Sequence, residues 1–248
     1  MKSRALRVIG RWREAIEAAD EAAKHGGAVA VTFRTLGYSR RAIASARRAV
    51  DRNPLAPIEW AALGGSCLRG GDAACQLEAA EHQARLQPSV VPMTLAVALQ
   101  RNGRTAEAVK LMQSHPDYWG PKPGGGLDYN MRLRRALFGA GPPPPLSEII
   151  ARVKSGDDYV DTAIGSLIDL GRYQDAATLL PLWGPASRTE LSILFDTRLK
   201  EMRKSPQFWA LMQREGILQF WRESGKWPDF CEREPVCDRY RTPAPPAA

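Results

Sequence analysis

No stretch of this 248-residue chain approaches the ~18 uninterrupted apolar residues of a membrane span. The longest candidate, residues 90–99, is short and contains Pro92. The basic stretch 1–13 is not followed by an apolar run and a small-residue cleavage site, so it does not read as a secretion signal. Histidine is scarce. The three present, His25, His82 and His115, are scattered, each near an expected helix end where an imidazole interacts with the helix dipole. No His-x-x-x-His or His/Cys cluster exists, which argues against a metal site. There is no Gly-Lys-Ser/Thr phosphate loop and no Gly-x-Ser-x-Gly elbow. The acidic pair Asp157-Asp158 falls at an expected helix start, where carboxylates favour the dipole, and reads as a cap rather than an acid/base pair. With no catalytic constellation and no cofactor motif, the chain reads as a binder and not an enzyme.

What is present is enough apolar residue for a substantial core, 44%, beside 25% charged residues. The net charge is +8, mostly arginine. Two readings stand side by side: attraction to nucleic acid, acidic lipid or acidic protein, and simply the Ala/Arg/Gly/Pro usage of a GC-rich genome. Arg40, Arg41, Arg47 and Arg48 share one helix face, which is either solvated or a contact for acidic lipid or phosphate. No helix-turn-helix or zinc pattern accompanies them, so direct sequence-specific contact with nucleic acid is not expected.

The strongest signal is internal repetition. Gly-x-x-x-x-Ala occurs four times after amphipathic stretches: Gly10 to Ala15, Gly37 to Ala42, Gly103 to Ala108, and Gly171 to Ala176. A glycine past a helix end takes the left-handed conformation that stops it. A tight turn and an antiparallel helix follow, and the alanine sits where the two helices cross, its small side chain letting the backbones approach. Pro54 closes one unit and Pro88 another, 34 residues apart.

The unit 57–88, with Trp60, Leu63-Gly64, Gly71 and the closing Pro88, resembles a tetratricopeptide (TPR) repeat; it departs from the pattern at Gln76, where the small alanine belongs. The closing segment resembles the C-terminal end of bacterial TPR proteins whose N-terminal part is a winged-helix DNA-binding domain, a class III nucleotide cyclase or a TolB-like domain. The matching residues are Pro206, Phe208, Gly216, Trp221, Gly225, Trp227, Pro228, Asp229, Phe230 and Cys231, with Ile217 and Phe220 in place of leucine and tyrosine. The resemblance implies an all-α chain of tandem antiparallel helical hairpins, a TPR-like α-solenoid, forming the sensory or regulatory region of a larger bacterial signalling or transcription-regulating protein. A freestanding scaffold or assembly factor of the cell envelope is the alternative. Because Gly10 leaves little room for a leading helix, the first repeat is expected to be truncated, from a longer protein or a misassigned start.

The expected organisation is a TPR-like array over 1–119, a Gly/Pro-rich linker with one helix over 120–146, a further hairpin over 147–185, capping helices and the Trp-Pro-Asp-Phe-Cys segment over 186–241, and a disordered tail over 242–248. Helices are expected at 157–170 and 172–180, then at 189–204 and, unbroken, at 206–224. Phe208, Trp221, Trp227 and Phe230 are expected to cap the end of the array.

TPR arrays bind peptides in the concave groove lined by the first helix of each hairpin. The equivalent positions are Ala61, Gly65, Met93, Val97, Asp161 and Gly165. None is basic, so the carboxylate clamp of chaperone-binding arrays is absent and the groove reads as small-sided and apolar. The implied partner is a protein or peptide, including the chain's own N-terminal domain or a second copy.

The four cysteines fall in two local pairs. A hairpin at Gly70-Gly71 folds Cys67 and Cys75 together at a spacing a disulfide can bridge, an offset that resembles cysteine-rich helical-hairpin repeat proteins; Cys231 and Cys237 flank a short loop. Disulfides would place the chain in the periplasm. Four reduced cysteines, with Cys67 and Cys75 as small core residues, would place it in the cytoplasm.

Overall fold

Each hairpin is set by a glycine held at positive φ. Gly10, Gly37, Gly71, Gly103 and Gly171, with φ between 72° and 82°, follow the helices Lys2–Val8 (α1), Ala30–Thr35 (α3), Pro57–Gly70 (α5), Met93–Arg101 (α7) and Val160–Asp169 (α11). The partner helices are Trp12–Lys24 (α2), Ser39–Arg52 (α4), Ala73–Leu86 (α6), Thr105–Gln113 (α8) and Tyr173–Thr178 (α12). Between the two groups lie Tyr129–Leu137 (α9) and Leu146–Ser155 (α10); Pro206–Arg214 (α13), Ile217–Ser224 (α14) and Asp238–Arg241 (α15) close the chain. This computed structural model describes residues 2–25, 27–88, 93–115 and 129–241. Among them every regular element is helical and there is no strand. The glycine-rich loop at 120–126 and the tail at 242–248 lie outside the described residues.

Successive helices α1 to α8 each touch the next, as do α11 and α12, so the arrangement is helical and repeat-like. Ala15, Ala42, Ala108 and Ala176 at the hairpin crossings are fully buried. Replacing Ala176 with phenylalanine should destabilise the protein by about 1–3 kcal/mol through overpacking. A denaturant midpoint identical to that of the wild type would show that this crossing is not close-packed. At Gln76 the small residue is replaced by a buried amide whose Oε1 lacks a hydrogen-bond partner.

Three expected helices differ. Residues 189–204 form not an α-helix but a chain of 3₁₀ turns, Pro185–Phe195, Thr197–Leu199 and Met202–Lys204. Leu191 to Asp196 are buried one after another, which no one-sided helix can accommodate. At the break, the Leu194 and Asp196 carbonyls accept from Arg203 Nη1 at 3.2 and 2.8 Å. Residues 206–224 are two helices, broken at Gly216 with φ 73°, and Trp12 Nε1 donates to the Glu215 carbonyl at 2.6 Å. The helix expected from residue 157 starts at Val160, with Asp158 Oδ1 accepting from the Tyr159 amide at 2.8 Å.

The aromatic closing segment is packed into the main core. It returns to the first two hairpins. Trp221 Nε1 donates to the Leu36 carbonyl at 3.2 Å, Tyr38 OH to the Lys226 carbonyl at 2.9 Å, and the Asp229 amide to the Gly37 carbonyl at 3.0 Å. One hydrophobic core therefore runs from Trp12 to Cys237, and a smaller cluster joins α7 and α8 to Leu137 and Phe138. Gly37 is the tightest point of this return. A Cβ there would lie 2.5 Å from Pro228 Cβ, at a φ of 82°. At Gly171, φ is 72° and no atom would lie within 4 Å. Gly171→Ala should therefore cost only the left-handed strain of about 1–2 kcal/mol, whereas Gly37→Ala should cost at least about 1 kcal/mol more through the collision. Equal losses in urea titrations would show that the return contact is loose.

Candidate functional site

The first helices of several hairpins are covered, in part, by the chain itself. The 3₁₀ segment Pro185–Phe195 runs between α1, α3 and α5 on one side and α11 on the other. Two candidate groove residues hold it: Asp161 Oδ1 accepts from Ser187 Oγ, and a Cβ at Gly165 would lie 2.9 Å from Ile193 Cδ1. Two others lie on α5. Ala61 lines an open cavity between α3, α4 and α5, and Gly65 lies beneath the Arg34 guanidinium. Met93 and Val97 belong to the smaller cluster instead; Met93 lines a ≈ 180 Å³ cavity with Leu133 and Leu170. The six positions therefore do not form one groove.

The six are small, apolar or acidic, but charge lies one or two turns further along each first helix. Arg7, Arg34, Arg69 and Arg101 come from α1, α3, α5 and α7, each two or three residues before the hairpin glycine. That recurrence was present in the sequence. Inward positions counted from the middle of each helix do not include it. The crossing segment answers Arg69, whose Nη1 lies 3.1 Å from Asp196 Oδ2, and Arg198 bridges Asp196 and Asp169; Arg101 Nη1 is buried without a hydrogen-bond partner. Asp196 has no exposed surface. Burial works against its carboxylate, yet hydrogen bonds and charge from Arg198, with Arg69, hold its pKa below the ordinary value. Asp169, where burial prevails, is pushed up.

The near half of the column is poorly compensated. Arg7 is 4% exposed and donates to Thr35 Oγ1 at 2.9 Å. Among the described residues Arg34 forms no hydrogen bond or ion pair through its side chain, and its Nε is buried without a partner. Burial, followed by repulsion from Arg69 and outweighing attraction from Glu190, lowers the Arg34 pKa to about 10. The guanidinium remains charged at neutral pH.

Elsewhere the basic face of α4 is solvent-accessible, and three of its arginines form surface ion pairs within the protein. Arg40 pairs with Asp229 and Glu232, Arg41 with Asp20, and Arg47 with Glu78 at 2.8 Å; Arg48 is exposed. His82 stacks on Trp60 with centroids 3.9 Å apart. Phe208 and Trp221 are fully buried, Phe230 is 8% exposed and Trp227 half-buried. Cys67 and Cys75 are joined as a disulfide with Cα atoms 5.8 Å apart, and Cys231 and Cys237 as another at 5.5 Å. Among the described residues no group of three His, Cys, Asp or Glu side chains is placed to hold a metal ion, and no helix is long and apolar enough to cross a membrane.

Compared with known protein families and with curated protein sequences, the chain matches none.

Proposed function

We propose that this chain is a non-catalytic protein-interaction module of the TPR type, serving as the sensory or regulatory region of a larger bacterial signalling or transcription-regulating protein. The observation that carries the reading is the segment 185–198, which lies against α1, α3, α5 and α11. It is an irregular polypeptide held by Arg69 through Asp196, by Asp161 through Ser187, and by the small surface of Gly165 under Ile193. A face that holds its own chain in this manner has the groove, the small side chains and the buried ion pairs needed to hold another's. The partner is a protein or peptide, the chain's own N-terminal domain, or a second copy. Ile58, 72% accessible, lies on the wall of the unoccupied cavity between α3, α4 and α5. A photo-crosslinking residue at Ile58 or Ala61, introduced in the native host, should give a discrete protein adduct that the same residue at Arg48 or Lys110 does not. Identical adducts at all four positions, or none, would refute the reading.

A second reading is favoured by the two disulfides, which leave no free cysteine. Such pairing fits an oxidising compartment, and with it a scaffold or assembly factor of the cell envelope. Intact-mass measurement of protein from its native compartment, alkylated without reductant, should then show no modified cysteine; four modified cysteines would defeat a periplasmic location.

A further inference from the structure

The cavity between α3, α4 and α5 measures ≈ 470 Å³ and is open on one side. Its walls are almost wholly aliphatic: Ala30 and Val31 from α3, Ala46 and Ala49 from α4, Ile58 and Ala61 from α5. Pockets of this size and polarity hold small organic ligands, which are fixed in orientation by a few polar groups. Here the one cationic group is Arg34. Its guanidinium lies across α5 onto Gly65, where an added Cβ would meet Nη1 and the guanidinium would have to shift. Its Nε is buried and unsatisfied, and no described side chain pairs with it. Arg69 adds like charge, as does Arg7, and Glu190 supplies partial attraction without forming an ion pair. Arg34 is partly buried as a residue, so it is the Nε donor, rather than the whole guanidinium, that lies out of solvent without the partner a buried polar group ordinarily has. The acid on the cavity wall, Glu59, sits in the first turn of α5. It lies six residues before Gly65, about 9 Å away along the helix axis.

We propose that this cavity is a binding site for a small aliphatic monocarboxylate, with its chain between α3, α4 and α5 and its carboxylate on the Arg34 fork. The planar guanidinium matches a carboxylate with two parallel N–H···O bonds. One cation and alanine walls suit a singly charged, apolar ligand; a phosphate ester would leave most of its oxygens facing methyl groups. The proposal stands whether or not the first helices also receive a protein.

Isothermal titration of the full chain with octanoate, at neutral pH, tests it. Octanoate should bind saturably at one site, and octan-1-ol, which has the same chain without the charge, at least tenfold more weakly. Arg34→Gln should weaken octanoate at least tenfold. Gly65→Ala provides a second variant that should fold at least as well as the wild type, because alanine favours a helix interior. It pushes the guanidinium aside, so it too should weaken octanoate at least tenfold with an undiminished melting temperature. Absence of saturable octanoate binding, equal affinity for octan-1-ol, or full affinity in whichever of the two variants folds would overturn the assignment. A peptide with an aliphatic C-terminal residue that binds in an Arg34-dependent way, where octanoate does not, would also overturn it and make the occupant a peptide terminus.

Discussion

Trp221→Ala is expected to lower the unfolding free energy by about 3–5 kcal/mol, a large part of the 5–15 kcal/mol typical of a native protein. The indole has no exposed surface and sits among Phe195, Trp209, Trp227 and Phe230, with ring centroids 5.8 to 6.4 Å away. Its N–H also satisfies the Leu36 carbonyl, so alanine leaves both a cavity and an unpaired acceptor at the junction between the chain's last and first parts. Trp227, only half-buried, should cost clearly less when truncated. Urea titrations followed by tryptophan fluorescence and by far-UV circular dichroism would measure both. A Trp221→Ala loss below about 1.5 kcal/mol would mean that the closing segment is not packed on α3.

Arg203→Ala should be comparably severe, about 3–5 kcal/mol, because breaking a buried ion pair strands the partner charge. Arg203 is fully buried. It pairs with Glu234 through Nε at 2.9 Å, donates to two carbonyls, and lies over the Phe230 ring at 4.7 Å. Its own carbonyl accepts from Trp209 Nε1 at 2.7 Å. Lysine keeps the charge but not the planar fork, so Arg203→Lys should recover only a minor share of the loss. The double variant Arg203→Ala/Glu234→Ala should be less destabilised than the sum of the single losses, by 0.5 kcal/mol or more. Strict additivity in this cycle would show that the two side chains do not interact. Raising the ionic strength should change little, since buried pairs are weakly screened.

What could be read from the sequence divides along the distance over which each feature is determined. The hairpins were legible because Gly-x-x-x-x-Ala encodes a stop, a turn and a crossing within six residues; Ala42, Ala108 and Ala176 are buried as that pattern requires. The local cysteine pairs were legible as closable pairs for the same reason. The course of 185–204 was not. Its apolar run looks helical in isolation, and only burial between α11 and the first helices of the array turns it into 3₁₀ structure. The arginine column lay between these cases. Arg7, Arg34, Arg69 and Arg101 recur at nearly constant offsets from the hairpin glycines, but which face looks inward depends on helix phase, which composition and period do not supply. Arg34 is distinguished from Arg69 only by what crosses it, and the acidic residue that answers Arg69 lies 127 positions later.

The return of the closing segment to α3 also sets the order of events during synthesis. A linear helical array can fold hairpin by hairpin as it is made. Here the Leu36 carbonyl must wait for Trp221, 185 residues on. At 5–20 residues per second that interval lasts roughly 10–40 s, during which the surface later covered by Trp221, Pro228 and Phe230 stays open on the nascent chain. These hairpins are therefore made well before they are completed, and a chaperone acting during translation would find its apolar target there.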